Sequence, residues 1–270
     1  MTMTTPAGTT YSLFRSMLEQ PHLLIAGATG SGKSVALNGL IHDVLFRFPS
    51  DIEGGAGLIL IDLKRVELGQ YRDIPHTLYC ATEPKDAVPA LQHALKLIDD
   101  RYRVMERRGQ RLYDGADIYV VIDELADLMT TQRRAVVPFI QRIAQIGRAA
   151  RVHIIACTQC PIRAVIPTEI GVNFDARLGL HTRNAQDSRN IIGIVPGFPG
   201  LHTLPAHGQG LYHSPSGDML YNIPFVPEIE QQRVIAHWQA QIPANARKAR
   251  HSAISALLRL FRQGKGSATF

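Results

Sequence analysis

The stretch PHLLIAGATGSGKS, residues 21–34, decides the fold, because it joins a short apolar run to a glycine-rich loop that ends in Gly32-Lys33-Ser34. The loop starts at Gly27 and fits the phosphate-binding pattern G-x-x-x-x-G-K-[ST]. The apolar run predicts a strand, and the following VALNGLIHDVLF has apolar residues at helical spacing. The alternative is a glycine-rich turn with a chance lysine, but the strand and helix that the pattern requires are both predicted here.

This loop is expected to bind the phosphates of ATP. Glycine lets the backbone turn so that successive N–H groups face phosphate oxygens, and the N-terminus of the following helix adds a favourable dipole. Lys33 is expected to reach the β and γ phosphates, and Ser34 to hold Mg²⁺. The predicted nucleotide-binding residues are Gly27, Ala28, Thr29, Gly30, Ser31, Gly32, Lys33, Ser34 and Val35.

A second apolar run, IYVVIDE at residues 118–124, delivers two acids at the end of a predicted strand. In an enzyme with a phosphate-binding loop, we expect Asp123 to order the Mg²⁺ shell and Glu124 to polarise the water that attacks the γ-phosphate. Acids at this place can also simply cap a helix. The strand VHIIAC, residues 152–157, is followed by Gln159, whose amide can sense the γ-phosphate, although a glutamine in a loop is ordinary.

The composition is typical of one large α/β domain. The 270 residues are 45% hydrophobic and carry a formal charge of +6, which is compatible with a polyanionic partner. No apolar stretch approaches the ~20 residues of a membrane span, and the N-terminus lacks the features of a secretion signal, so a cytoplasmic location without a membrane span is expected. Cys157 and Cys160 form a single C-x-x-C, which offers zinc too few ligands, and a structural role is preferred.

Strands and helices alternate along the rest of the chain. This predicts an open, mostly parallel sheet with helices on both faces, followed by a small C-terminal hairpin and helices. Predicted strands cover residues 57–62, 174–182, 208–213 and 218–223, and predicted helices cover 84–108, a segment from 125, 136–150, 184–192 and 228–239.

Five segments of the chain resemble, in order, the motor core of the FtsK/SpoIIIE DNA translocases. They are PHLLIAGATGSGKSVALN, LILIDLKRVEL, YVVIDELADLM, IGRAARVHIIACTQCP and FDARLGLHTRNAQDSRNIIG. The resemblance implies a RecA-like P-loop NTPase that assembles as a homo-hexameric ring, hydrolyses ATP between subunits and drives double-stranded DNA through the central pore. On this basis residues 1–20 are interpreted as a lead-in, 21–240 as the motor domain and 241–270 as a basic amphipathic tail.

The resemblance also implies roles for single residues. Lys33 and Ser34 match the nucleotide loop of the family, Asp123 and Glu124 match its acid pair, and Gln159 matches its sensor. Arg148 matches the arginine that is offered in trans to the γ-phosphate of the neighbouring subunit. Arg189 matches a position on a pore-facing loop that contacts DNA phosphates.

The chain departs from the family pattern in several places. Cys160 stands where arginine is common, so Arg163 is the candidate for the missing DNA contact. Ala185 stands where relatives often carry a lysine near the nucleotide, and Arg183 is the nearest substitute. The resemblance includes no membrane part, linker, preceding subdomain or winged-helix domain, so we expect a pared-down motor from a plasmid, phage or integrative element.

Two hypotheses compete with a translocase. The first is a DNA transfer or packaging ATPase of a mobile element, and the second is a nucleotide-dependent assembly or scaffolding protein that moves no DNA. The tail after residue 240 is open to three interpretations: a packed helix with a basic back, an arm for nucleic acid, or a surface-binding amphipathic helix.

Overall fold

Strands and helices alternate through most of the computed structural model, which describes residues 2–4, 10–12, 20–47 and 56–241. The strands are β1 (Thr2–Thr4), β2 (Thr10–Ser12), β3 (Leu23–Ala26), β4 (Ala56–Ile61), β5 (Thr77–Ala81), β6 (Asp117–Ile122), β7 (Val152–Thr158), β8 (Ala176–Leu180), β9 (Gln209–Ser214) and β10 (Gly217–Asn222). The helices are α1 (Lys33–Arg47), α2 (Pro84–Arg108), α3 (Leu125–Ile146), α4 (Thr168–Gly171), α5 (Ala185–Ile192) and α6 (Glu228–Ala240).

Eight strands form one sheet in the order β10-β9-β8-β3-β7-β6-β4-β5. Neighbours are parallel from β8 to β5, whereas β8 and β9, and β9 and β10, are antiparallel. The carboxyl ends of β3, β4, β6 and β7 therefore meet at one edge, which is where open α/β sheets bind ligands.

The sheet is covered on both faces. All residues of β3, β4, β6 and β7 are buried, as expected for parallel strands between helices. One apolar core joins one face of the sheet to α2, α3 and α5, and the second joins the other face to α1 and α6. The predicted α/β class with helices on both faces is confirmed.

Two features of the fold differ from the sequence-based expectation. Strand β5 was not predicted, because this short edge strand contains polar and partly exposed residues instead of an apolar run. The C-terminal hairpin extends the main sheet through the pairing of β9 with β8. As predicted, two helical segments follow residue 125; they meet at Gln132, whose φ of −141° and ψ of 20° are not helical, and together they are called α3.

Helix α3 ends at Ile146, whereas the apolar pattern predicted a helix up to residue 150. A Cβ at Gly147 would collide with the carbonyl oxygens of Ile143 and Val152, so only glycine permits this close turn into β7. Arg148 consequently lies in a turn and not in a helix.

The two ends of the chain are described only in part. Within the predicted lead-in, β1 and β2 pair antiparallel. Of the predicted basic tail, residues 242–270 lie outside the described residues, and the proposed domain boundaries stay a prediction. Among the helices of the described ranges, none is both long and apolar enough to cross a membrane.

Candidate active site

The glycine-rich loop lies between the ends of β3 and β8. Gly30 and Gly32 have φ angles of 77° and 94°, which residues with a Cβ rarely adopt. The Ala28 N–H donates a hydrogen bond of 2.8 Å to the His181 carbonyl, directly beyond β8. This contact anchors the loop, and α1 begins at its end with Lys33.

Lys33 is buried, and its ammonium group lies over its own loop. Its Nζ atom donates hydrogen bonds to the carbonyl oxygens of Gly27 (2.9 Å) and Ala28 (2.7 Å). Burial lowers the pKa of Lys33, while nearby Cys157 and the carboxylates of Glu124 and Asp123 act in the opposite direction. The lysine is thus positioned by the loop that the sequence motif defines.

A cavity of about 190 Å³ opens beside this lysine. It is lined by Lys33, Ser34, Lys64, Val66, Glu67, Asp123 and Gln159. The cavity therefore brings together four residues that the sequence motifs placed at one site, although three separate segments of the chain contribute them.

Asp123 and Ser34 supply oxygen donors to this cavity. Burial raises the pKa of Asp123 to about 7, and the nearby Asp62, Glu67 and Glu124 add to the effect. Carboxylate and hydroxyl oxygens suit Mg²⁺, which usually takes one or two protein ligands and completes its shell with water and phosphate oxygens. Within the described ranges no group of three His, Cys, Asp or Glu residues that could hold a metal ion is found.

Glu124 is buried at the start of α3 and accepts three hydrogen bonds. Its carboxylate receives the Ala126 N–H (3.1 Å) and, through both oxygens, the Gln159 N–H (3.3 and 3.2 Å). Glu124 therefore caps α3, as one of the two interpretations of this acid predicted. The same contacts hold the carboxylate next to two residues that line the cavity, Gln159 and Lys64.

Gln159 connects the loop after β7 to the glycine-rich loop. The Thr29 hydroxyl donates a 2.7 Å hydrogen bond to the side-chain oxygen of Gln159. The contact is possible because β3 and β7 are neighbours in the sheet.

The segment after β4 contributes residues whose roles the motifs did not predict. Asp62 is fully buried and accepts the backbone N–H groups of Arg65, Glu67 and Leu68 at 2.8–3.0 Å, so it folds this segment back toward the site. Lys64 lies 3.5 Å from Asp127 and 3.9 Å from Glu124. The sequence signals were their place at the carboxyl end of a buried strand and their position in the family-like segment LILIDLKRVEL, and neither gave these residues a role.

His207 and Arg183 both differ from what the sequence predicted for the site. His207 donates a 2.6 Å hydrogen bond from Nδ1 to the Gly30 carbonyl, and no sequence motif pointed to it. Arg183, the suggested substitute for the lysine missing at Ala185, is exposed and lies 3.9 Å from Asp187. It does not line the cavity.

Arg148 is exposed in the turn between α3 and β7, at the opposite edge of the sheet from Gln159. The seven residues of β7 separate the two ends by roughly 20 Å. Within the described part of the chain, its side chain has no hydrogen bond or ion pair. The structure therefore does not bring Arg148 to the site of its own subunit.

Arg163 and Arg189 line a common surface depression of about 330 Å³. Both side chains are exposed, and neither has a hydrogen-bond or ion-pair partner among the residues described. Arg189 lies on α5, whose cap is Asn184, and Asp187 contacts Asn184 and Arg183 instead of Arg189. Arg177 lines the same depression but donates to three backbone carbonyls.

Known sequences of one family match this chain. The profile of the FtsK/SpoIIIE family matches residues 7–119 and 114–163. A DNA translocase FtsK of Rhizobium meliloti is 33% identical over 274 residues, covering 85% of this chain and 30% of the relative. The corresponding protein of Helicobacter pylori strain 26695 is 36% identical over 237 residues, with 82% and 27% covered. The chain thus spans about 30% of the length of such relatives.

Solved structures share the fold at lower identity. The conjugation coupling protein TcpA of pCW3, determined with ATPγS, superposes with a TM-score of 0.72 at 20% identity, over 88% of this chain and 70% of that chain. The cytoplasmic domain of the type VII secretion ATPase EccC of Thermomonospora curvata superposes with a TM-score of 0.66 at 19% identity, over 90% and 31%. Both likenesses support a P-loop ATPase fold.

Proposed function

The chain belongs to the FtsK/SpoIIIE family, and on this premise we propose that it is an ATPase that moves double-stranded DNA. The observation that carries the proposal is the convergence of Lys33, Ser34, Asp123 and Gln159 on one cavity at the carboxyl edge of the sheet. Both proposed substrates, ATP and DNA, place the activity in the cytoplasm.

In this proposal the glycine-rich loop and Lys33 bind the phosphates of ATP. The loop N–H groups and the N-terminus of α1 offer donors, and the Lys33 ammonium exchanges its loop carbonyls for phosphate oxygens. Ser34 and Asp123 would hold Mg²⁺, which would neutralise phosphate charge during transfer.

Glu124 is the proposed general base for the attacking water. Its carboxylate is held by two backbone N–H groups, from Ala126 and Gln159, so its direction is set before ATP binds. Preorganised groups of this kind contribute because no reorganisation is needed during the reaction. Gln159 is the proposed sensor of the γ-phosphate, and Thr29 couples it to the loop that binds the phosphates.

Arg148 is proposed to act on the ATP of a neighbouring subunit. Its location at the far edge of the sheet, with a guanidinium that has no partner among the described residues, supports a role in trans and opposes one in its own site. A cation that arrives from the next subunit stabilises the transition-state charge and makes hydrolysis depend on ring assembly. A homo-hexameric ring is part of this proposal.

DNA is proposed to contact the depression that Arg163 and Arg189 line. A motor that moves along any sequence needs contacts to phosphates and not to bases. Exposed arginines that have no partner in the described part of the chain are suited to such contacts.

The test is ATPase activity of the full chain with and without linear double-stranded DNA, together with oligomeric mass and displacement of a triplex-forming strand. We expect hydrolysis that DNA stimulates, a ring-sized mass and strand displacement. Lys33→Ala should lose hydrolysis and strand displacement but keep the ring-sized mass. ATP binding without hydrolysis would favour the assembly-protein hypothesis. Hydrolysis that DNA leaves unchanged would contradict the DNA motor.

A further inference from the structure

The turn that carries Arg148, residues 147–151, is held by hydrogen bonds to its backbone carbonyls from several parts of the chain. Each carbonyl oxygen from Ile146 to Arg151 accepts at least one hydrogen bond. Tyr102 Oη donates to the carbonyl of Ile146, Val152 N to that of Gly147, Arg151 N to that of Arg148 and Tyr113 N to that of Ala149. Arg101 Nη1 donates to the carbonyls of both Ala150 and Arg151, and Ile118 N also donates to that of Arg151. The Arg148 side chain is the exception, since it has no partner among the described residues.

Among the donors from outside the turn, Arg101 contacts the most carbonyl oxygens, with two. This residue of α2 is only 9% exposed, although its helix is rich in charge. Its Nη1 atom donates to the carbonyls of Ala150 (2.7 Å) and Arg151 (3.2 Å). Its guanidinium also lies over the Tyr113 ring, 4.4 Å from the centroid. A buried cation with these partners fixes the backbone geometry on which it acts.

The last residue of the turn needs such support. Arg151 has a φ of 54°, in the left-handed region that residues with a Cβ avoid. Its guanidinium forms a bidentate pair with the buried Asp117, at 2.9 and 2.6 Å. The turn is therefore kept in a strained form by Arg101 on one side and by Asp117 on the other.

We propose that Arg101 is a positioning residue for Arg148, and that it fixes the turn so that the Arg148 guanidinium is presented to a second copy of this chain. The inference rests on the proposed action of Arg148 in trans. A displacement of about 1 Å in a catalytic group can lower the reaction rate roughly 100-fold. A rigid backbone beneath the long Arg148 side chain would therefore keep the rate of hydrolysis at the neighbouring site high. Arg101 lies outside the ATP cavity and would act only through the neighbour's reaction.

The test uses mixtures of variants, because they reveal which side of an interface a residue serves. Lys33→Ala lacks the loop lysine and Arg148→Ala lacks the arginine, and random mixing leaves about one quarter of interfaces with both. We expect Arg101→Met alone to lower kcat about tenfold or more, with ATP affinity unchanged. Mixing Arg101→Met with Lys33→Ala should restore activity, whereas mixing it with Arg148→Ala should not. Arg103→Met, an exposed arginine of the same helix, is the matched control and should behave as wild type.

The outcomes separate the two proposals. If Lys33→Ala and Arg148→Ala fail to complement each other, action in trans is wrong. If they complement each other, the positioning role is wrong in any of three cases. These are that Arg101→Met is as active as wild type, that Arg148→Ala restores its activity, or that neither partner restores it. If Arg101→Met does not fold, Arg101→Lys and Tyr102→Phe are put through the same mixtures, and their rescue by Lys33→Ala alone is required.

Discussion

The Thr29 hydroxyl donates a 2.7 Å hydrogen bond to the Gln159 side chain, across 130 positions of sequence. It joins the loop that binds phosphate to the strand end that carries the proposed sensor. The Gln159 amide is thereby held at the cavity by the glycine-rich loop, and this contact motivates the first prediction.

Thr29→Val should lower the DNA-stimulated rate by up to about fivefold, since a net hydrogen bond contributes about 1 kcal/mol. ATP affinity should change little, because the loop N–H groups that face the phosphates are unaffected. Steady-state kinetics and nucleotide binding by fluorescence measure the two quantities. Thr29→Ser keeps the hydroxyl and serves as the control; an equal loss in both variants would contradict the role of the Gln159 contact.

Glu124→Gln should bind ATP but hydrolyse it about 100- to 10,000-fold more slowly, because the water loses its base. The amide oxygen can still accept the Ala126 N–H, so the melting temperature should remain close to that of the wild type. Glu124→Ala removes the cap as well and should also lose about 1 kcal/mol of folding stability. A wild-type rate in Glu124→Gln would show that the acid only caps the helix.

Arg189→Ala and Arg163→Ala should each weaken binding to double-stranded DNA and reduce the slope of log K against log salt by about 0.9 per lost phosphate contact. Binding isotherms at several salt concentrations measure the slope, with melting temperature as the check on folding. Arg233→Ala removes the same charge from α6, on the opposite face of the sheet, and should leave the slope unchanged. Unchanged slopes in well-folded Arg189→Ala and Arg163→Ala would show that DNA does not contact this depression.

Arg151→Gly should destabilise the protein by about 1–4 kcal/mol, as two effects oppose each other. Loss of the ion pair to buried Asp117 costs about 3–5 kcal/mol when a partner is removed from a buried pair, and relief of the left-handed backbone returns about 1–2 kcal/mol. Arg151→Met loses the pair but keeps the strain, so it should be less stable than Arg151→Gly. Urea unfolding measures the stability of all three proteins. A glycine variant as stable as wild type would mean that the relief of strain fully offsets the loss of the ion pair, and would contradict this prediction.

His22 should contribute to acid sensitivity. It is buried, its Nδ1 accepts the Ile154 N–H at 3.0 Å, and burial together with nearby His153 lowers its pKa from 6.5 to about 3. Between these values the unfolded chain binds a proton that the folded chain excludes. Stability therefore falls as the pH drops from 6.5 toward 3, by up to about 1.4 kcal/mol per pH unit.

His22→Asn keeps an acceptor for Ile154 N–H but does not titrate. The difference between wild type and variant in the free energy of unfolding should therefore shift in favour of the variant as the pH falls. Urea unfolding at several values between pH 4 and 6.5 tests this. Parallel pH profiles for the two proteins would contradict a buried neutral histidine.

Much of the fold was predictable from the sequence because its signals are local. The phosphate-binding loop, the helix over 84–108 and the cap at Asn184 depend on backbone sterics and side-chain periodicity within a few residues. Strand β5 was missed because its pairing with β4 forms it at the edge of the sheet without an apolar run. The end of α3 was misplaced because the close approach of Gly147 to Val152 ends the helix although the apolar pattern continues.

The candidate site divides in the same way. Its motif residues Lys33, Asp123 and Gln159 could be named from the sequence, since each follows or ends an apolar strand. Their assembly into one cavity, the hydrogen bond from Thr29, and the distance of Arg148 from its own cavity follow from the strand order, with β7 placed between β3 and β6. Strand order is decided by the packing of both apolar faces of the sheet against helices from distant segments, and no short stretch of sequence contains that information.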